Sequence, residues 1–132
     1  MSHRTKVALL VEDEPMIAMM ASDILTDMGY TVFEADTRDD ALSLLAVEQG
    51  FTLLFTDIDL ADGSSGVDVA VVFARMNPGM PIVATSGHNR PAGLPDGVKF
   101  VPKPYTHGDL ENALPRQRNA LKRPPSRELS LS

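Results

Sequence analysis

An α/β fold with a doubly wound parallel sheet is predicted by three features of the sequence. The apolar runs at residues 6–11 and 53–55 do not alternate with polar residues, which marks strands buried on both faces. Between five such short runs lie segments whose apolar residues recur at helical spacing. Gly, Pro and Asn punctuate the junctions.

The elements follow in order. Residues 6–11 form a first strand that ends in Glu12-Asp13-Glu14. Pro15 suits the first turn of a helix. Its apolar face is Ile17, Met20, Ala21, Ile24, Leu25 and Met28, and Gly29 stops it. The methionines of this helix read as core filler. Residues 31–35 are a second strand. Thr37 is placed as an N-cap, with Asp39 and Asp40 in the first turn where the helix dipole favours negative charge. Ala41, Leu44, Leu45 and Glu48 place that helix, and Gly50 ends it. Leu53-Leu54-Phe55 then runs into Thr56-Asp57-Ile58-Asp59 as a third strand. It breaks at the Asp62-Gly63-Ser64-Ser65-Gly66 loop. Val67, Ala70, Val71 and Ala74 give a third helix face, terminated at Asn77-Pro78-Gly79.

Residues 81–85 are a fourth strand, running into Ser86-Gly87-His88. The fourth helix of an alternating pattern belongs at residues 88–97. Pro91, Gly93, Pro95 and Gly97 make it short or absent, at most one turn in a mobile loop. Residues 98–101 form the fifth strand, followed by Pro102-Lys103-Pro104-Tyr105. A last helix is expected from about His107, using Leu110, Ala113, Leu114 and Leu121, kinked or split by Pro115. Residues 1–123 then make one domain and residues 124–132 an unstructured tail. For five strands at this length the expected order is flavodoxin-like, 2-1-3-4-5.

Composition narrows the function. The 132 residues carry a net charge of −6 and no cysteine, so there is no disulfide framework and no thiolate site. The first apolar run is too short for a signal-peptide core or a membrane span, and a soluble, cytoplasmic protein is expected. After Leu114 come Arg116, Arg118, Lys122, Arg123 and Arg127 against Glu128 alone. The body is therefore more acidic than the whole, which argues against nucleic acid as a partner. The stretch after Leu114 is short for an output or DNA-binding domain.

Ligands of open α/β sheets bind at the carboxyl ends of the strands. With strands 1, 3, 4 and 5 as neighbours, that edge gathers Glu12 and Asp13, Asp57, Ser86 and Lys103. Three converging carboxylates repel unless a cation neutralises them. Oxygen ligands without His or Cys favour Mg²⁺. A hydroxyl and an ammonium beside them suit a phosphoryl group. The residues alone thus predict a Mg²⁺-dependent phosphoryl site with an aspartate nucleophile.

Four motifs also resemble the CheY-like receiver domain of two-component response regulators: LLVEDEP at 9–15, LLFTDIDL at 53–60, IVATSG at 82–87 and FVPKPY at 100–105. The resemblance covers about residues 5–114. It implies that Glu12 and Asp13 hold Mg²⁺ with Asp57, and that Asp57 is the phosphoacceptor. It implies that Asp59 supplies a backbone carbonyl to the metal. Ser86, rather than Thr85, matches the hydroxyl position that senses the phosphoryl group, because small Gly87 follows it. Lys103 matches the family's lysine, before a Pro often joined by a cis peptide bond. Phe100 matches the aromatic switch position.

The implied partners are a sensor histidine kinase or phosphotransfer protein and a downstream protein. The implied reaction is phosphoryl transfer to Asp57 and later hydrolysis, and the expectation is a stand-alone receiver, a switch rather than a turnover enzyme. Ala61 departs from the Pro usual there. The run Asp57-Ile58-Asp59 also resembles the haloacid-dehalogenase-like phosphohydrolases, where Asp57 is the nucleophile and Asp59 the general acid. A scaffold independent of phosphorylation is the third reading. Tyr105 is read as partner-facing or structural, and His88 as a solvated loop residue.

Overall fold

Strands with apolar side chains on both faces need cover on both, and the chain supplies it. The computed structural model describes residues 5–115. The elements are β1 (Val7–Val11), α1 (Pro15–Asp27), β2 (Thr31–Ala35), α2 (Arg38–Val47), β3 (Leu53–Asp57), α3 (Gly66–Met76), β4 (Ile82–Ser86), β5 (Lys99–Pro102) and α4 (His107–Ala113). The strands form one sheet in the order β2-β1-β3-β4-β5, parallel throughout. This is the flavodoxin-like arrangement expected.

Residue alternation sorts the core into two layers. Leu9, Val11, Leu54 and Ala84 face Ala41 and Leu45 of α2 and Val69, Ala70 and Phe73 of α3. Ala8, Leu10, Leu53, Phe55 and Val83 face Ala21, Ile24 and Leu25 of α1 and Leu110 of α4. Fully burying each large side chain stabilises the fold by about 1.5–3 kcal/mol. Every residue of β3 and of β4 is buried. Asp57 and Ser86, their last residues, therefore sit on the most constrained segments of the chain.

Local signals account for most helix ends. Pro15 opens α1, and Gly29 follows its end with a φ of 97° that a side chain would oppose. The Thr37 side chain accepts the Asp40 N–H and starts α2. Ser65 caps α3 by accepting the Val67 N–H.

Four expectations need correction. The buried face of α3 is Gly66, Val69, Ala70 and Phe73; of the expected face, Ala70 is buried, while Val67, Val71 and Ala74 are only half-buried at its sides. Val69 and Phe73, spaced four apart, carry the packing. Met16 and Met19 of α1 are 82% and 65% exposed, so they are not core filler; the stripe of Ala18, Ala21, Ile24 and Leu25 leaves them on the outer side. Nor does Pro115 kink a long final helix. The helix stops at Ala113, and Leu114 is extended (φ −82°, ψ 155°), as the residue before a proline prefers. Helix α2 ends at Val47, which leaves Glu48 as its extended cap. Leu121 and the 124–132 tail lie outside the described residues.

The expected loss of a helix between β4 and β5 is seen. Residues 88–97 hold only turns, with Gly93 and Gly97 at positive φ. Leu94 packs from this segment onto the α2/α3 side of the core, as do Val67 and Phe100. Arg90 Nη1 donates to the Val98 carbonyl at 3.1 Å. The segment thus covers ground that a helix would otherwise cover.

The start of α3 is pressed against the end of β3. A Cβ at Gly66 would lie 2.0 Å from the Asp57 carbonyl oxygen and 2.7 Å from Thr56 Oγ1. The Gly66 N–H donates to the Ile58 carbonyl at 2.9 Å. Only glycine permits this approach, so Gly66→Ala must push α3 off the strand that carries Asp57. We expect it to cost roughly 2–3 kcal/mol, the range of core overpacking, measured by denaturant unfolding. An unchanged midpoint would contradict the close contact.

Candidate functional site

Parallel pairing puts the carboxyl ends of all strands at one edge. In the β3–β4 and β4–β5 registers Asp57 stands opposite Thr85 and Ser86 opposite Pro102. The Lys103 N–H donates to the Ser86 carbonyl at 2.8 Å, which ties the exit of β5 to the end of β4. Lys103 and Pro104 are joined by a cis peptide bond. From there Lys103 Nζ reaches Asp57 Oδ2 at 2.9 Å and Glu12 Oε1 at 3.5 Å. Of the five side chains expected at this edge, four come together: Glu12 and Asp13 after β1, Asp57 at the end of β3, and Lys103 after β5.

The three carboxylates form a tight group. Glu12, Asp13 and Asp57 each offer an oxygen, and these lie within 4.8 Å of one another. Asp57 also accepts the Asp59 N–H at 3.2 Å through Oδ1. Asp13 accepts the Ala61 N–H, anchoring the loop after β3. Glu12 Oε2 accepts the Glu14 N–H at 3.1 Å. Its other oxygen, Oε1, is buried without a hydrogen-bond partner. The ammonium 3.5 Å away is an ion-pair contact, too long for a good hydrogen bond.

Rough magnitudes show what is missing. At an effective dielectric near 20, each like-charged pair at this spacing costs about 3 kcal/mol. Attraction to one ammonium roughly cancels three such repulsions and leaves the burial of the carboxylates uncompensated. Burial accordingly pushes the Asp57 carboxyl up, against the hydrogen bond and charge of Lys103. Burial also raises Glu12, helped by Asp57 and Asp13. For Lys103, burial alone would lower the ammonium, but Asp57 and Glu12 outweigh it and the net shift is upward. An orphaned buried oxygen in an all-oxygen, net-negative group fits a hard divalent cation. These three carboxylates can hold a metal ion.

Ser86 lies at the same edge but turns elsewhere. Its hydroxyl donates to Asp59 Oδ2 at 2.5 Å and accepts the His88 N–H at 3.0 Å. His88 Nδ1 is 3.3 Å from the same Asp59 oxygen. The Ser86 hydrogen bond, aided by His88, holds the Asp59 carboxyl below the usual carboxylate range. The sequence offers two uses for Asp59, a carbonyl ligand or a general acid, and neither anticipates this side-chain contact with Ser86 and His88. His88 is solvated, as expected, yet it is also bonded to the site.

Tyr105 is structural in its contacts. Its ring packs edge-on to Phe55 at 6.4 Å. Its hydroxyl is buried without a partner, and burial followed by the charges of Glu12, Asp57 and Glu14 raises its pKa. With Pro104, Ile17, Met20, Gly87 and Glu14 it lines an open groove that reaches Lys103. Phe100 is half-buried on the core and is the Cα partner of Ala84. Among the described residues no helix is long and apolar enough to cross a membrane.

The raised carboxyls set a pH dependence. In metal-free protein the folded state binds more protons than the unfolded chain between the ordinary carboxylate range, near about pH 4, and the raised folded values of Glu12 and Asp57. The contribution of Glu12 and Asp57 to stability is fully present below that range and is lost as pH rises through their folded values. We expect Asp57→Asn to be more stable than wild type at neutral pH, with the gap closing toward acid, measured by urea midpoints in chelator. A gap that widens toward acid would contradict the charge balance.

Comparison with known proteins places this geometry. The family model described as the response regulator receiver domain matches residues 8–115. The nitrogen assimilation regulatory protein NtrX of Azorhizobium caulinodans is 32% identical over 103 residues, which cover 74% of this chain and 22% of that protein. The chain spans about a quarter of the length of the first curated regulators it matches. A crystal structure of a response regulator receiver protein from Sinorhizobium medicae superposes with a TM-score of 0.74 at 30% identity, over 85% of this chain and 93% of that one. A Burkholderia pseudomallei response regulator, crystallised with a phosphorylated aspartic acid, a calcium ion and citrate, gives 0.70 at 26% identity over 88% of this chain and 69% of that one.

Proposed function

The chain belongs to the response regulator receiver domain family of two-component signalling, and on that footing we propose that it accepts a phosphoryl group on Asp57 from a histidine kinase or phosphotransfer protein and signals by binding a protein partner. Receiver domains of this family act as signalling switches that interact with such donors. One observation carries the assignment of Asp57. It is a nearly buried carboxylate whose oxygen lies 2.9 Å from an ammonium and within 4.8 Å of two further acid groups.

The residues divide the work. An Asp57 carboxylate oxygen attacks phosphorus; the P–N bond of the phosphohistidine breaks, and the imidazole leaves with its electron pair and takes up a proton. Lys103 stands where it offsets charge on the transferring group. Ser86 is the hydroxyl that can donate to a phosphoryl oxygen, and Phe100 is the aromatic that responds on the β5 side. Glu12, Asp13 and Asp57, with the Asp59 carbonyl, are the groups that would hold Mg²⁺. The ion would neutralise the acidic cluster and draw charge from the phosphoryl oxygens. Hydrolysis of the acyl phosphate by water restores the carboxylate.

The Burkholderia relative supports this reading, since its structure is described with a phosphorylated aspartic acid and calcium, another hard cation. The hydrolase alternative needs Asp59 as a general acid. Its carboxyl is held below the usual range and is engaged by Ser86 and His88, which suits an anion rather than an acid at neutral pH.

Acetyl phosphate with Mg²⁺ should load about one phosphoryl group per chain, on the peptide that contains Asp57. Asp57→Asn should abolish the label, and chelation should suppress it, read by mass spectrometry of intact protein and peptides. Label on another residue, or steady turnover of a phosphate ester without accumulation, would refute the assignment.

A further inference from the structure

The Ser86 hydroxyl has one proton to donate. In this structure Asp59 Oδ2 takes it, at 2.5 Å. Ser86 is 1% exposed, whereas the Asp59 side chain is 54% exposed. A surface carboxylate therefore reaches inward to hold a buried hydroxyl. A phosphoryl oxygen on Asp57 needs that same proton, and one O–H cannot serve both acceptors.

We propose that the Asp59 side chain is a built-in competitor for the Ser86 hydroxyl, and that phosphorylation is read when the phosphoryl group on Asp57 takes this hydrogen bond from it. With Asp57 as the phosphoacceptor, on which this competition rests, two forces favour the transfer. The phosphoryl oxygen carries more charge than a carboxylate oxygen and is the stronger acceptor. It also repels the Asp59 carboxylate, which has solvent to move into. Loss of Asp59 from Ser86 reaches His88, because His88 binds both: its N–H donates to Ser86 Oγ and its Nδ1 meets Asp59. His88 heads the 88–97 segment that stands in place of a helix. Further along, the Arg90 contact to the Val98 carbonyl and the packing of Leu94 hold this segment. Moving one hydrogen bond at Ser86 thus unhooks one end of the segment that joins β4 to β5. Asp59 acts here as a positioning residue, through Ser86.

A double-mutant cycle read by beryllofluoride binding in the presence of Mg²⁺ tests this, beryllofluoride standing in for the phosphoryl group. Asp59→Ala should tighten binding about tenfold, the scale of one hydrogen bond to a charged group. In the Ser86→Ala background the same change should have less than about a twofold effect, because the contested proton is gone. In metal-free, unliganded protein, Asp59→Ala should speed hydrogen exchange of the His88 amide by about tenfold, since Ser86 Oγ is no longer fixed. Equal tightening in both backgrounds would mean that Asp59 acts by charge alone and would overturn the competition, as would weaker binding in Asp59→Ala. A wild type that binds no beryllofluoride would overturn the phosphoacceptor assignment itself. A wild type that binds, with an additive cycle, would overturn only the role of Asp59.

Discussion

One ammonium facing three carboxylates is the constraint around which the rest of this structure is arranged. Lys103 Nζ touches Asp57 and Glu12, yet it cannot satisfy both and also offset Asp13. The cluster stays net negative, partly desolvated, and short of one hydrogen bond at Glu12 Oε1. Such a group persists only where its surroundings hold it. Here β3 is buried along its whole length, Gly66 clamps the strand exit against α3, and the Lys103 N–H is tied to β4. The fold contributes the stability that the site lacks, a common relation between scaffold and function.

The same balance explains why the site can switch. A receiver must exist in two states of similar free energy, and the charge at its edge differs between them. On the proposed reading, gaining a cation and a phosphoryl group would change which acceptor the nearby donors face. Among the described residues Ser86 is the donor already occupied by a second acceptor, Asp59, whose side chain is about half exposed to solvent. The 88–97 segment, without a helix of its own, has little regular backbone hydrogen bonding to resist a change at its first residue. Among the described residues its side-chain ties include the Arg90 contact to Val98 and the packing of Leu94 on the core.

Much of this was legible in the sequence for a physical reason. A parallel sheet buries its strands on both faces, so unbroken apolar runs mark the strands, and the polar residues that end them mark the functional edge. Glu12, Asp13, Asp57 and Lys103 were found that way and do converge. The breakers at Pro91, Gly93, Pro95 and Gly97 correctly removed a helix, because proline and glycine act through the backbone alone. What was missed depends on side-chain direction. The buried face of α3 is centred on Val69 and Phe73, which pack on the core, and not on Val67 and Ala74 at its sides. Met16 and Met19 lie outside the buried stripe of α1, which composition could not show. The inward reach of Asp59 has no sequence signature, since its neighbours Ser86 and His88 are distant in the chain.

The central claim is that the acidic group is kept short of positive charge so that a divalent cation can complete it. Isothermal calorimetry of metal-free protein titrated with Mg²⁺ tests this most directly. The account predicts one ion per chain, with affinity at least about tenfold weaker in Asp57→Asn, as expected for loss of one charged oxygen ligand. No uptake, or uptake indifferent to Asp57, would contradict it.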